Sequence, residues 1–191
     1  MEKMIVKKLI FIILMCGVIV FGITGCGKSN LNDTKNDLEE SQNKYGFVQE
    51  ETVDVLVAKF NTEVLNNTSL NKASLDYLTV SNNQYWYGLY EGVSLVVVPK
   101  KFTGNKETEI VDYMLIFVQK NSEYEENVID YTKYLIKSNN SSITDEEIDE
   151  LIKDAKEKST TGKTSNNGKG ISVGYLNNND TYQYQVLRFY K

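Results

Sequence analysis

Residues 22–29 of this 191-residue chain read GITGCGKS and satisfy the phosphate-binding pattern G-x-x-x-x-G-K-[ST] at every fixed position. In a nucleotide site the backbone N–H groups of such a turn cradle phosphates, the lysine reaches the terminal phosphates and the serine holds Mg²⁺. That chemistry needs a buried strand before the turn and an amphipathic helix after it. Neither is present. Residues 9–21 form an unbroken apolar run, too long for a strand, and residues 29–44 have only Leu31 and Leu38 as apolar residues. The second segment therefore has no stripe to lay on a sheet. The strongest apolar runs, SLVVVPK and MLIFVQK, end in Pro-Lys and Gln-Lys, not in an aspartate that would hold the metal. No nucleotide and no other cofactor is expected.

The same eight residues contain Ile23-Thr24-Gly25-Cys26, preceded by the apolar run 9–21 and by the basic residues Lys3, Lys7 and Lys8. This is the layout of a secretory signal, and it resembles the lipobox of bacterial lipoprotein precursors. The resemblance covers residues 1–27. It implies that Cys26 takes a diacylglyceryl group, that the Gly25–Cys26 bond is cut, and that residues 1–25 are a signal peptide. Half of the apparent phosphate loop is then discarded. An uncleaved membrane anchor is the rival reading, since residues 9–27 carry no charge. As a helix, however, residues 9–23 rise only about 22 Å against an apolar core of about 30 Å. Both readings leave the lysines inside and export the rest, placing the chain at the outer face of the cytoplasmic membrane, held by lipid on Cys26.

Residue usage narrows the chemistry further. Histidine is absent, and the two cysteines are Cys16, inside the apolar run, and Cys26. The mature chain thus has no imidazole base or ligand and no free thiol or disulfide, which excludes Ser-His-Asp and Cys-His arrangements and N/S metal sites. Carboxylates, lysines and tyrosines remain. A wall-glycan hydrolase with paired carboxylates and a small acidic immunity or inhibitor protein stay open as alternatives to a noncatalytic binding module. Loss of residues 1–25 takes three of the 21 basic residues and one of the 26 acidic ones, leaving 18 against 25, a net charge of −7. Such a chain is not expected to bind nucleic acid, where basic surface supplies the affinity. The wealth of Asn, Lys, Ile and Tyr suits an AT-rich, Gram-positive source.

Two charged motifs have plain readings. DEEIDE at 145–150 lacks the glycine turn and ligand spacing of a calcium loop, and carboxylates in a helix's first turn are favoured by the helix dipole. TTGKTS at 160–165 lies between a helix and a strand, the reverse of phosphate-loop order, with Glu157 where the first glycine belongs.

Aromatic residues are the remaining candidates. Tyr85, Trp86, Tyr87 and Tyr90 fall in one strand, where alternation puts Tyr85 and Tyr87 on one face and Trp86 and Tyr90 on the other. In the last strand Tyr182, Tyr184 and Tyr190 share a face with Arg188. One pair of the first group should enter the core. An exposed aromatic face with polar tips would suit a protein partner or an envelope glycan.

The elements that must hold these residues follow from periodicity. Residues 26–45 are polar and read as a flexible tether, and 46–191 as one domain. Val53, Leu56, Val57, Phe60 and Val64 mark a helix over 50–65. Two strands flank Glu91-Gly92 as a hairpin, and a third spans 108–119, whose continuous apolarity predicts a central place covered on both faces. Tyr124, Val128, Tyr131 and Leu135 mark a helix over 123–137. Thr144 with Glu147 forms a capping box for a helix over 145–158. Strands follow at 171–176 and 181–190. The order α-βββ-αα-ββ predicts an α+β fold, an antiparallel-rich sheet with helices packed on one face.

Overall fold

The computed structural model describes residues 46–67 and 69–190. The signal segment, the lipobox and the tether lie outside the described residues. Ten elements follow one another among the described residues, α1 (Val53–Val64), β1 (Leu78–Ser81), β2 (Gln84–Tyr90), β3 (Val93–Pro99), β4 (Val111–Gln119), α2 (Val128–Asn139), α3 (Asp145–Lys158), β5 (Ser165–Asn166), β6 (Ile171–Asn177) and β7 (Thr181–Arg188), with three short 3-10 turns between them. The seven strands form one sheet in the order β1-β2-β3-β4-β7-β6-β5, with every neighbouring pair antiparallel. This is the expected α+β fold in the expected order, with a short strand added at each edge.

Each helix forms where its stripe is. α1 buries Val53, Leu56, Val57, Phe60 and Val64. Its N-cap Thr52 makes no side-chain cap; the first N–H groups donate instead to the carbonyls of Glu109 (3.0 Å) and Lys106 (3.3 Å), which pins the helix start to the loop before β4. α2 starts later than its periodicity predicts, because Tyr124 precedes a 3-10 turn at Glu125–Asn127. α3 has the predicted bounds. Thr144 Oγ1 accepts from Glu147 N, and the Glu147 carboxylate accepts from Thr144 N at 2.9 Å. The acidic run is the first turn of this helix, with Asp145 paired to Lys137 (2.6 Å) and Asp149 to Lys133 (2.7 Å) on α2. Its charges complement the helix dipole and tie two helices together.

The edge strands come from turn chemistry. Asn82 and Asn83 both have positive φ, 52° and 60°, the two-residue turn that joins β1 to β2. At the other edge, Gly162 closes the turn after α3 at φ 67°, and TTGKTS runs into β5. All three helices pack on one face of the sheet, where a single apolar core joins them to alternate residues of the strands. β4 lies at the centre and is buried on both of its faces.

Candidate functional site

The helix-covered face takes up most of the aromatic residues that the sequence singles out. Tyr85, Tyr87 and Tyr184 are buried core residues, and Tyr90 and Tyr182 pack half-buried against them. Tyr182, Tyr184 and Tyr175 form a ring cluster with centroids 4.9–6.3 Å apart. Burial pushes the Tyr184 hydroxyl up to about 12. Two corrections follow. The face carrying Tyr182, Tyr184 and Arg188 is the one under the helices, so it is not an exposed binding surface. Tyr90 also lies on this face, with Tyr85 and Tyr87, not beside Trp86. A β-bulge between Gly88 and Tyr90 inserts one residue, and one extra residue reverses the alternation beyond it. Tyr90 then stacks on Tyr124 with centroids 4.2 Å apart.

Arg188 organises the end of the sheet. Its side chain is 0% exposed, and Nη2 pairs with Glu51 Oε2 at 2.8 Å. The same group donates to the Gln49 carbonyl (2.8 Å), Nη1 to Asn139 Oδ1 (2.6 Å) and Nε to the Tyr190 hydroxyl (2.8 Å). The Tyr190 hydroxyl in turn donates to the Val111 carbonyl. A guanidinium has a fixed fork of donors, and here it joins the segment before α1, the end of α2 and strands β4 and β7. Arg188 and Tyr190 are thus structural ties.

Glu109, 3% exposed, ends the loop between β3 and β4. Its Oε1 accepts from Thr103 N, Thr103 Oγ1 (2.9 Å), Gly104 N (2.7 Å) and Asn105 N (3.3 Å). Burial acts to raise its pKa, but these bonds outweigh it and hold the pKa below its ordinary value. Burial first, and then the nearby Glu109 carboxylate, raise the Tyr85 hydroxyl. A carboxylate held ionised while folding a loop around itself is an anchor and not a proton donor poised near neutrality.

The opposite face of the sheet has a different character. Cross-strand pairing aligns Thr79, Trp86, Val96, Leu115, Gln185 and Gly174 in one row. A neighbouring row holds Ser94, Phe117, Gln183 and Leu176, and Phe117 meets Trp86 edge-on at 5.3 Å. A third runs Val98, Tyr113, Leu187, Ser172 and Asn166. No Asp, Glu, Lys or Arg occupies any ladder position on this face, in a chain that is 25% charged. Asp112 falls in the bulge of the β3–β4 ladder. Trp86 and Leu115 are each 3% exposed, yet neither belongs to the core that holds the helices. The Trp86 indole N–H is buried without a hydrogen-bond partner. Trp86 is the one member of the predicted aromatic set on this side.

A groove of about 610 Å³ runs between Phe47–Glu51, α1 and the end of α2. Two of its charged groups are paired locally, Lys59 with Glu51 and Lys137 with Asp145. Among the described residues no group of His, Cys, Asp or Glu has the arrangement of a metal site.

No family model, curated protein or solved structure matches this chain. The uncharged face around Trp86 was half legible in the sequence. Trp86 stood out as an aromatic, but Val96, Leu115 and Phe117 read only as strand interior. What could have found them is the missing charge at alternate positions of β2, β3, β4 and β7, a signal visible only once the pairing is known.

Proposed function

We propose that the chain is an exported lipoprotein, acylated on Cys26 and cut before it, that works as a noncatalytic interaction module at the outer face of the cytoplasmic membrane. One observation carries the interaction reading: the uncharged sheet face with Trp86, Val96, Leu115 and Phe117 at its centre and glutamines around them. An aromatic centre with a polar, uncharged surround is the anatomy of a protein-binding surface. A second protein surface is the favoured ligand, and an envelope glycan the other expected one. The anchor and the polar tether would hold this face a short way from the bilayer.

Labelling with radioactive palmitate tests the anchor. The chain is expected to incorporate the label and Cys26→Ser to lose it; a labelled Cys26→Ser protein would sink the reading. Capture of envelope extracts on the processed protein tests the face. Trp86→Ala should reduce capture at least tenfold, and an unchanged yield would remove the face from the function. Tyr182 and Tyr184 are unsuitable for this test because they belong to the core.

A further inference from the structure

The turn after β5 carries the only Asn-Gly pair in the sequence, Asn167-Gly168. Gly168 is exposed and takes φ 75°. Three hydrogen bonds shape the turn: Gly168 N donates to Asn166 Oδ1 at 2.6 Å, Lys169 N to Asn167 Oδ1 at 3.1 Å, and Asn166 Nδ2 to the Ile171 carbonyl at 3.0 Å. The remaining amide nitrogen, Asn167 Nδ2, is buried with no partner.

We propose that Asn167 is a site of spontaneous modification, converted through a cyclic imide to aspartate and isoaspartate. Hydroxide takes the proton of the Gly168 N–H, and that nitrogen attacks Asn167 Cγ. A C–N bond forms and charge passes to Oδ1. The Cγ–Nδ2 bond then breaks, and Nδ2 leaves as ammonia after taking a proton from water. Water next opens the five-membered ring. Attack at Cγ gives aspartate, and attack at the main-chain carbonyl gives isoaspartate, in which the chain runs through the side chain. One amide is exchanged for one acid, with water consumed and ammonia released.

The turn suits each step. The bond from Lys169 N folds the Asn167 carboxamide back along its own main chain and sets a donor on the oxygen where charge develops. No hydrogen bond retains the leaving nitrogen. The attacking nitrogen belongs to glycine, so no Cβ crowds the ring, and its exposure admits hydroxide. At Asn121-Ser122 and Asn140-Ser141 the attacking residue carries a side chain.

The position gives the change a consequence, because this turn holds the chain where it enters the domain. A side chain on Gly46 would meet the Gly168 carbonyl oxygen at 2.5 Å, and one on Gly170 would meet the Phe47 main chain at 2.6 Å. The Lys169 carbonyl accepts from Asn140 Nδ2 at 2.7 Å, and Lys169 Nζ pairs with Glu147 at 2.7 Å. Isoaspartate adds one carbon to the main chain between residues 167 and 168, a displacement of about 1.5 Å. A contact with no room for a Cβ cannot absorb it. The junction at Gly46–Val48 therefore loosens as isoaspartate accumulates, whereas aspartate keeps the main chain and the contact.

The test uses the full chain, expressed in a bacterial host and extracted in mild detergent. It stands apart from the lipoprotein reading, since a chain that keeps residues 1–25 is aged and mapped in the same way. Peptide mass mapping after ageing at neutral and at mildly alkaline pH reads the exchange of amide for acid, and isoaspartyl methyltransferase labelling reads isoaspartate. Conversion at Asn167 should run at least about tenfold ahead of Asn121 and Asn140, rise with pH, and proceed in the folded protein within about tenfold of its rate in urea. Val48 N–H donates to the Phe189 carbonyl at 2.8 Å. Its hydrogen exchange should quicken at least about tenfold in the isoaspartate form and stay at the parent rate in Asn167→Asp. Asn167→Ser should remain unmodified and keep Val48 protected through the same ageing. Conversion no faster at Asn167 than at Asn121, or a folded rate far below the rate in urea, would overturn the site. Unchanged Val48 exchange in the isoaspartate form would overturn the loosening.

Discussion

Replacing Arg188 with methionine measures how much of the fold hangs on one buried cation. The guanidinium makes an ion pair to Glu51 and hydrogen bonds to Asn139 Oδ1, the Gln49 carbonyl and the Tyr190 hydroxyl, with no solvent exposure. Methionine fills much of the same volume, so the loss is electrostatic and not a cavity. Removing one member of a buried pair costs about 3–5 kcal/mol, because the other is stranded; here that is Glu51, whose carboxylate Lys59 still touches. Against a total stability of about 5–15 kcal/mol, this is a large fraction. At about 2–4 °C per kcal/mol for a domain of this size, the melting temperature should fall by about 6–20 °C. Circular dichroism on residues 27–191, by heat and by urea, reads both quantities. Arg188→Lys should recover only part of the loss, since an ammonium lacks the fork that reaches three directions. The pair Arg188→Met with Glu51→Gln should be more stable than the sum of the single effects predicts, because the stranded charge is gone. A loss below about 1 kcal/mol for Arg188→Met would refute the view that this cluster ties the chain's start to the sheet.

Three further outcomes are expected. Thr144→Ala removes the side chain that accepts from Glu147 N and should cost about 1 kcal/mol, read as a lower urea midpoint with an unchanged slope. Glu109 is held below its ordinary value, so its contribution is present above an unfolded value of about 4.3 and is lost as pH falls through the lower folded one. Glu109→Gln should therefore flatten the fall in stability at acid pH, and an equally steep fall would count against the loop-anchor role. Tyr184 is raised to about 12 by burial from an unfolded value of about 10. Its contribution is complete below pH about 10 and is lost as pH rises towards 12. Tyrosine ionisation followed by ultraviolet absorbance should show Tyr184→Phe less alkali-sensitive than the parent.

How far the sequence is readable depends on the range of the interaction involved. The helix α3 was readable to the residue because its cap, acidic first turn and apolar stripe are all local, and each acts within one or two turns. β4 was readable as a central strand because its apolar run needs no partner to be recognised. α2 began late because Tyr124 finds a stacking partner in Tyr90, a contact between residues far apart in sequence. The strand β1 is only LTVS, and its sole marker is the Asn82-Asn83 turn. The side on which Tyr90 falls was wrong because a bulge is a property of two paired strands, and a single strand shows no sign of it.

The sequence by itself determined the order of elements, their α+β class, and the expectation of an acylated Cys26, since composition and local periodicity suffice for these. Only the tertiary structure decided which aromatic residues are core and which lie on the outer face. It also decided that Arg188 is a buried tie, and that uncharged positions on all seven strands converge on one surface. Each of those facts depends on cross-strand register, and a two-residue period leaves the choice of face to whichever side the helices cover.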